Sequence, residues 1–556
     1  MKKLIALLLV LCMAIGLLAA CGQTPVTPDT PDTPNNETQN SDTPEQTTAG
    51  SSVEATGPKY GGHANIHVYS QPTGLDPLKQ TGMWKYIWLT CVYENALTRD
   101  ADNNVVPGLC NFELSEDKLT LKLWVREGAV FHNGDPVEIT DVVASINRAL
   151  KMYENIKMYL APFVKDITVD GDTATMTFTA YNERAWGYLA AYQTWIAVLP
   201  QEICEKYSAT YITDQMDDAI GTGPYKITGF EGSVSVSIEK FDGYVPCEAG
   251  YTGYGAPKMG YLDSMTFFYN ADNSSATMAL LAGDYDVTDV IDEEYMDMAT
   301  EAGIIRETLP SNVGTCMIFN TMGTNNICSK YPALRKAVMA AINYEELLDV
   351  ITDGASQLGG TPVVSDRYAT DVFENADYFG DVDLDVVEAY LDEAYDAGYD
   401  DEPVQIVCDN TRTDLPALLT TYLDEAGINY DLQTMELATY NEFIGKPSNT
   451  WDFNFYWPTY SFTPSTMPLD FIINNYKSEA KDDLLDQMSL LDPESDEYLA
   501  LWTQLSEMMV EDCAVAHMGT IDWYWYHPAT FHSNDEGLAR FMYNAYWDDP
   551  ENHPAN

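Results

Sequence analysis

Positive charge is the scarcest property of this chain. Its 556 residues hold 28 Lys and Arg against 86 Asp and Glu, a formal net charge of −58. Nucleic acid is excluded as a partner, because phosphate binding needs a basic footprint. Direct adsorption to an anionic membrane surface is disfavoured for the same reason. The acidity has two readings, attraction of cationic ligands and a plain solvated surface. Salt screens exposed charge beyond about 8 Å, which favours the second. Paired cysteine motifs are also missing. The ten cysteines include no C-x-x-C, so zinc and thioredoxin-like readings are weak. There is no G-x-S-x-G elbow, no P-loop and no H-E-x-x-H, and the chain is expected not to be an enzyme. Metal ligation is equally poor. His63 and His67 have helix-face spacing but fall in a strand-like segment. Residues 381–392 place Asp at calcium-loop positions, yet Val386 stands where such a loop needs Gly and Asp392 where it needs Glu. An acidic helix N-terminus accounts for them. No metal or cofactor is expected.

Long hydrophobic runs are confined to Leu4–Ala20, preceded by Lys2 and Lys3 and ended by small residues. That is the form of an export signal over 1–20. Seventeen apolar residues is the short limit for a membrane span, and no Lys or Arg cluster follows to stop transfer. Leu18-Ala19-Ala20-Cys21 resembles a bacterial lipoprotein lipobox, which implies that Cys21 is lipidated and becomes the new N-terminus. Residues 22–58 contain no Lys, Arg or aromatic residue and carry Pro at every third position at first. Such a segment cannot bury enough apolar area to offset its ordering entropy, so 21–58 is expected to be a lipidated, disordered tether, part of it extended by proline. Loss of Lys2 and Lys3 leaves 26 basic against 86 acidic residues, or −60. Eight cysteines remain beyond Cys12 and Cys21: Cys91, Cys110, Cys204, Cys247, Cys316, Cys328, Cys408 and Cys513. They are expected to be buried free thiols.

From Lys59 onward the chain has the texture of a folded body. Leu119, Leu121, Leu123 and Val125 alternate as in a half-buried strand. Asp170-Gly171 separates two alternating runs, a hairpin signal. Thr140 precedes a helical pattern of Val142, Val143, Ile146, Ala149 and Leu150. After about residue 310 strands and helices alternate: "GTCMIFNT", "PALRKAVMAAI", a helix capped by Asn343, "LPALLTTYLDEAG" closed by Gly427, "INYDL", "WDFNFYW" and the late helix "YLALWTQLSEMM". The fold class is α/β.

Five ordered blocks resemble the family 5 extracellular solute-binding proteins: "GGHANIHVYSQPTGLDP" (61–77); the run 92–150 with VVPGL, SED, VREG, FHNG and TDVV; "GTGPYKITGF" (221–230); "LAGDYDVTDV" (281–290); and "YPALRKAVMAAINYEEL" (331–347). The resemblance covers 60 to about 535. It implies a two-lobed periplasmic-binding-protein-like fold of type II with an extra domain inserted in the first lobe. Lobe 1 would comprise 59–92, 206–310 and 516–556, the extra domain 93–205, and lobe 2 311–515. It implies a receptor, monomeric and held at the outer face of the membrane by its lipid anchor. The receptor would enclose an oligopeptide or peptide-like solute between the lobes and deliver it to ABC permease subunits. An oligosaccharide, an opine-like compound, chelated nickel, or a sensing role stays open on the same fold.

The resemblance also carries the expected ligand-binding positions: Ser70 and Gln71 after the first strand, Trp84, Asn320, Arg412, Trp457 and Tyr460. Peptide-binding relatives usually carry an Asp three residues after a Trp, paired with the peptide's α-ammonium group. Here Tyr460 occupies that place. Tyr456, Trp457, Tyr460 and Phe462 offer flat faces for planar groups or an ammonium.

Overall fold

The computed structural model describes residues 57–554 except 69–71, 80–85, 102–103, 192–195, 248–249, 271, 310–313, 323–325, 353–357, 359–367, 369, 374–375, 411–413, 445–449, 457–474, 494, 521–522 and 535–540. The expected export signal, Cys21 and the expected tether up to residue 56 thus lie outside the described residues. The body, from Thr56, is one compact unit.

The first sheet has four strands in the spatial order His63–Val68, Ser264–Tyr269, Ser235–Lys240, Tyr225–Phe230. The first two run parallel and the others antiparallel. Alternation does the sorting: Ala64, Ile66, Val236, Ile238, Met265 and Phe267 are fully buried. They pack with Trp88, Leu89 and Val92 of the helix Tyr86–Val92 and with Met542, Ala545 and Trp547 of the late strand Phe541–Trp547.

A second antiparallel sheet orders Cys110–Leu114, Thr120–Val125, Thr173–Phe178 and Val164–Asp170. Leu121 and Leu123 point into its core, while Trp124 is exposed. The turn between the last two strands has Gly171 at φ 59°, a left-handed conformation that Gly adopts without a Cβ penalty. The helix Ile139–Met152 lies on this sheet and starts earlier than its apolar pattern indicates. Glu138 caps it and Asp141 bonds back to the Glu138 amide, a capping box with acids at both ends. Thr140 is therefore inside the helix.

The third sheet orders Tyr430–Met435, Val404–Asp409, Phe453–Tyr456, Gly314–Phe319 and Val515–Thr520. The first three are parallel, and Gly314–Phe319 is antiparallel to both its neighbours. All six residues of Gly314–Phe319 are buried, because helices cover both faces. Pro332–Ala340, Tyr344–Thr352 and Asp414–Glu425 supply one cover, and Asp496–Glu511 supplies part of the other. Asn343 Oδ1 accepts from the Glu346 amide at 3.2 Å, and Gly427 has φ 67°, the expected cap and stop. Asp383 caps Leu384–Asp396, so the acids at 381–392 do serve a helix start.

A two-stranded ribbon, Ile304–Leu309 against Trp523–Pro528, connects these bodies. Its first strand leads through 310–313 into Gly314–Phe319, and Val515–Thr520 leads through 521–522 into its second. Because Val515–Thr520 is laddered to Gly314–Phe319, a boundary after residue 515 would split a sheet. Seven of the eight expected thiols are buried and Cys247 is half-buried, all of them free. Among the described residues no helix is long and apolar enough to cross a membrane, and no cluster of His, Cys, Asp and Glu is placed to hold a metal ion.

Candidate ligand site

Strand ends locate the site. Val404–Asp409 and Phe453–Tyr456 run parallel and adjacent, with Ile406 beside Phe453. Gly314–Phe319 runs against them, Cys316 opposite Tyr456 and Phe319 opposite Phe453. Gly314 and its partner Thr520 therefore lie at the C-terminal end of the parallel strands, where the chain passes to the ribbon. In the first sheet Val68 ends opposite Tyr269. There the His67 amide donates to Val287 O at 2.8 Å, and Thr288 exchanges amide bonds of 3.0 and 2.9 Å with Tyr526 of the ribbon. The C-terminal ends of both parallel pairs thus converge on the ribbon. Ligands of open α/β sheets bind outside such ends.

Of the expected ligand positions, Ser70, Gln71, Trp84, Arg412, Trp457 and Tyr460 lie outside the described residues. The strands that precede Ser70, Arg412 and Trp457 all finish at the convergent end. Asn320 is described and lies elsewhere. It follows Phe319, at the N-terminal end of Phe453–Tyr456, and is fully buried. Its amide donates to Asp452 O at 2.9 Å, its Oδ1 accepts from the Met322 amide at 3.1 Å, and its carbonyl accepts from Asn326 Nδ2 at 3.0 Å. Asn320 therefore lies at the opposite end of the sheet from the convergent strand ends. Its carboxamide closes a turn at the far end of the sheet.

That far end is organised by Asp452. Its Oδ1 accepts from the Cys328 amide at 2.9 Å and its Oδ2 from the Gln405 amide at 2.8 Å. Burial pushes its pKa up to about 6, against those amide bonds.

Several buried polar groups around the first sheet lie outside the expected ligand positions. His67 is fully buried, with Nε2 2.8 Å from Asn270 O and Nδ1 2.9 Å from Thr288 Oγ1 and 3.2 Å from Asp289 Oδ1. Its ring stacks on Tyr285 with centroids 5.3 Å apart. Asp76, in the segment after the first strand, forms a buried ion pair with Arg148. Glu94 pairs with Arg126 at 2.9 Å. Burial alone would raise the Glu94 carboxyl, but Arg126, Lys258 and the Tyr244 hydroxyl hold it below the ordinary range. The "LDP" of 75–77 and the lone Arg on an otherwise apolar helix face at 148 were the available signals.

Comparisons agree with this architecture. A solved structure of the periplasmic binding protein DppA from Helicobacter pylori, in complex with the peptide STSA, superposes with a TM-score of 0.71 at 17% identity, over 88% of this chain and 99% of that one. The fold is therefore the α/β, two-lobed type II periplasmic-binding-protein fold with its extra domain. The family model for bacterial extracellular solute-binding proteins, family 5 (middle region) matches residues 104–483, and the chain belongs to that family. Among curated relatives, the glutathione-binding protein GsiB of Salmonella typhi is 26% identical over 292 residues, 52% of this chain. The match spans about half of that relative's length, 54%. A putative ABC transporter peptide-binding protein of Brucella ovis is 24% identical over 394 residues, 68% of this chain and 69% of the relative.

Proposed function

We propose that this protein is a solute receptor. It captures a peptide or peptide-like molecule between two lobes and passes it to the permease subunits of an ABC importer. The first lobe is 59–92, 206–310 and the chain from 521, carrying the extra domain 93–205, and the second is 311–520. Residues 1–20 direct export, Cys21 carries the lipid, and 21–58 tether a monomeric body at the outer face of the cell membrane. The observation that carries the reading is the convergence of parallel strand ends from two sheets on one two-stranded ribbon. A ligand there touches both sheets, and it favours the closed arrangement by its differential contacts with the two.

Ser70, Gln71, Trp84, Arg412, Trp457 and Tyr460 are the proposed contacts, and Asn320 holds a turn instead. With Tyr460 where an Asp pairs with an α-ammonium group in peptide-binding relatives, recognition rests on aromatic faces rather than on a carboxylate. The names of the relatives make glutathione and short linear peptides the first candidates.

A thermal-shift panel tests this. Glutathione, di- to pentapeptides, oligosaccharides, opines and nickel with histidine are each added in excess. A peptide-class ligand at about 100 times its Kd should stabilise the fold by about 2.7 kcal/mol. Trp457→Ala should lose most of that shift while its ligand-free melting temperature stays near the parent's. A shift by sugars or nickel alone, or an undiminished shift in the variant, sinks the reading.

A further inference from the structure

Arg148 reaches out of the extra domain. It sits on the helix Ile139–Met152 and is 5% exposed. Its guanidinium meets the fully buried Asp76 as a fork, Nη1 donating to Oδ1 at 3.1 Å and Nη2 to Oδ2. Nε donates to Tyr207 O at 3.0 Å, and Nη2 also to Thr210 O at 3.3 Å. Asp76 accepts in addition from the amides of Leu78 and Ile212, both at 3.0 Å. The amides of Leu75 and Asp76 return bonds of 3.1 and 3.0 Å to Ile212 O. The Tyr93 hydroxyl holds Leu75 O at 3.1 Å. At Gly74, φ is +142° and a Cβ would meet Ile212 O at 2.9 Å.

The result is unusual for a segment outside helix and strand: residues 74–78 are all buried, whereas connecting segments normally run over the surface. Burying a carboxylate is costly unless it is paired and hydrogen-bonded. A buried pair contributes little net stability compared with apolar residues of the same volume. What a planar fork adds is direction, since both hydrogen bonds hold only at one orientation of the two groups. The segment so held is the continuation of His63–Val68, the strand whose end lies at the ribbon.

We infer that Arg148, acting through Asp76, is a positioning residue for solute binding, so that the extra domain fixes the path of 72–79 and takes part in setting affinity from outside the cleft. This rests on the receptor reading above. Arg148 does not itself touch the solute. Its distance from the ribbon in sequence and its burial beneath 74–78 make it a strut.

The test compares Arg148→Lys with Val142→Ala. Lysine keeps the charge but loses the fork and the bonds to Tyr207 and Thr210. Val142 is a fully buried core residue on the same helix, and its truncation lowers stability without touching Asp76. In the ligand-free proteins, hydrogen exchange at the amides of Leu75, Asp76 and Leu78 should rise about tenfold in Arg148→Lys and stay near the parent's in Val142→Ala. Isothermal titration with glutathione and with tetra-alanine, at a temperature where all variants are folded, should show a Kd raised about tenfold in Arg148→Lys, the worth of one charge-assisted hydrogen bond. Val142→Ala should remain within about twofold of the parent, since additivity holds for sites without shared partners. Unchanged exchange, or equal Kd in both variants, overturns the inference. Failure of the parent to bind either probe counts against the receptor reading, and exchange then decides the positioning role alone.

Discussion

Two buried carboxylates pin irregular segments in this molecule, Asp76 beside the first sheet and Asp452 at the far end of the third. Both are essentially inaccessible and both accept two backbone amides. Asp76 adds the Arg148 fork, whereas Asp452 relies on amides, and burial lifts its pKa to about 6. The comparison teaches that amide bonds satisfy the geometry of a buried acid without covering the cost of its charge. A guanidinium covers the charge too, and ties one more element into the knot. The paired acid lies in the segment that follows His63–Val68, and the unpaired one stands at the N-terminal end of Phe453–Tyr456 in the third sheet.

The largest expected effect comes from breaking the paired knot outright. Arg148→Met leaves Asp76 buried without its cation and should cost about 3–5 kcal/mol in urea unfolding. A loss under about 1 kcal/mol would mean that the amides alone satisfy Asp76, and the contrast with Asp452 would fail.

The second expectation concerns pH. The folded-state pKa of Asp452 is raised above the ordinary carboxylate value, so its contribution is present below about pH 4 and is lost as pH rises to about 6. Over that window the parent should lose about 3 kcal/mol, two pKa units at about 1.4 kcal/mol each. In Asp452→Asn this component of the slope should vanish, whatever the variant's overall stability. An identical pH profile in both proteins would place the titration elsewhere.

The smallest effect belongs to an exposed pair. Lys118 Nζ, at the turn between Cys110–Leu114 and Thr120–Val125, lies 3.7 Å from Asp492 Oδ2, in the stretch proposed as the second lobe, and 4.5 Å above the Tyr181 ring. Lys118→Ala should change stability by less than about 1 kcal/mol, and by nothing measurable in high salt. A larger, salt-resistant loss would show that the two lobes are held together by more than the ribbon.

Local patterning made much of the fold legible. The hairpin around Gly171, the Asn343 cap and the Gly427 stop are signals carried by one or two residues and their neighbours. The start of Ile139–Met152 was misplaced because Glu138 and Asp141 divide the capping work usually credited to a Ser or Thr. Asn320 was legible as a turn former, since Asn bonds readily to the amide two residues on, yet family position suggested a ligand contact. Each member of the Asp76–Arg148 pair left a local signal, but their pairing was not legible. Its partners are 72 residues apart, and nothing in either local segment names the other. The site as a whole was readable only through resemblance, because a cleft is made by strand ends that topology, and not composition, brings together.

The last strand, Phe541–Trp547, lies in the same core as the helix Tyr86–Val92. Trp547 Nε1 donates to His63 O at 2.9 Å, and Tyr543 O receives the Gly260 amide at 2.9 Å. The first sheet therefore lacks part of its interior until residue 547 has been synthesised, whereas the core spanning Met317 to Met518 draws on one continuous stretch. On a growing or translocating chain the middle can finish before the beginning. The earliest residues made wait longest for their partners, and that is the interval in which a chaperone or a protease would find them.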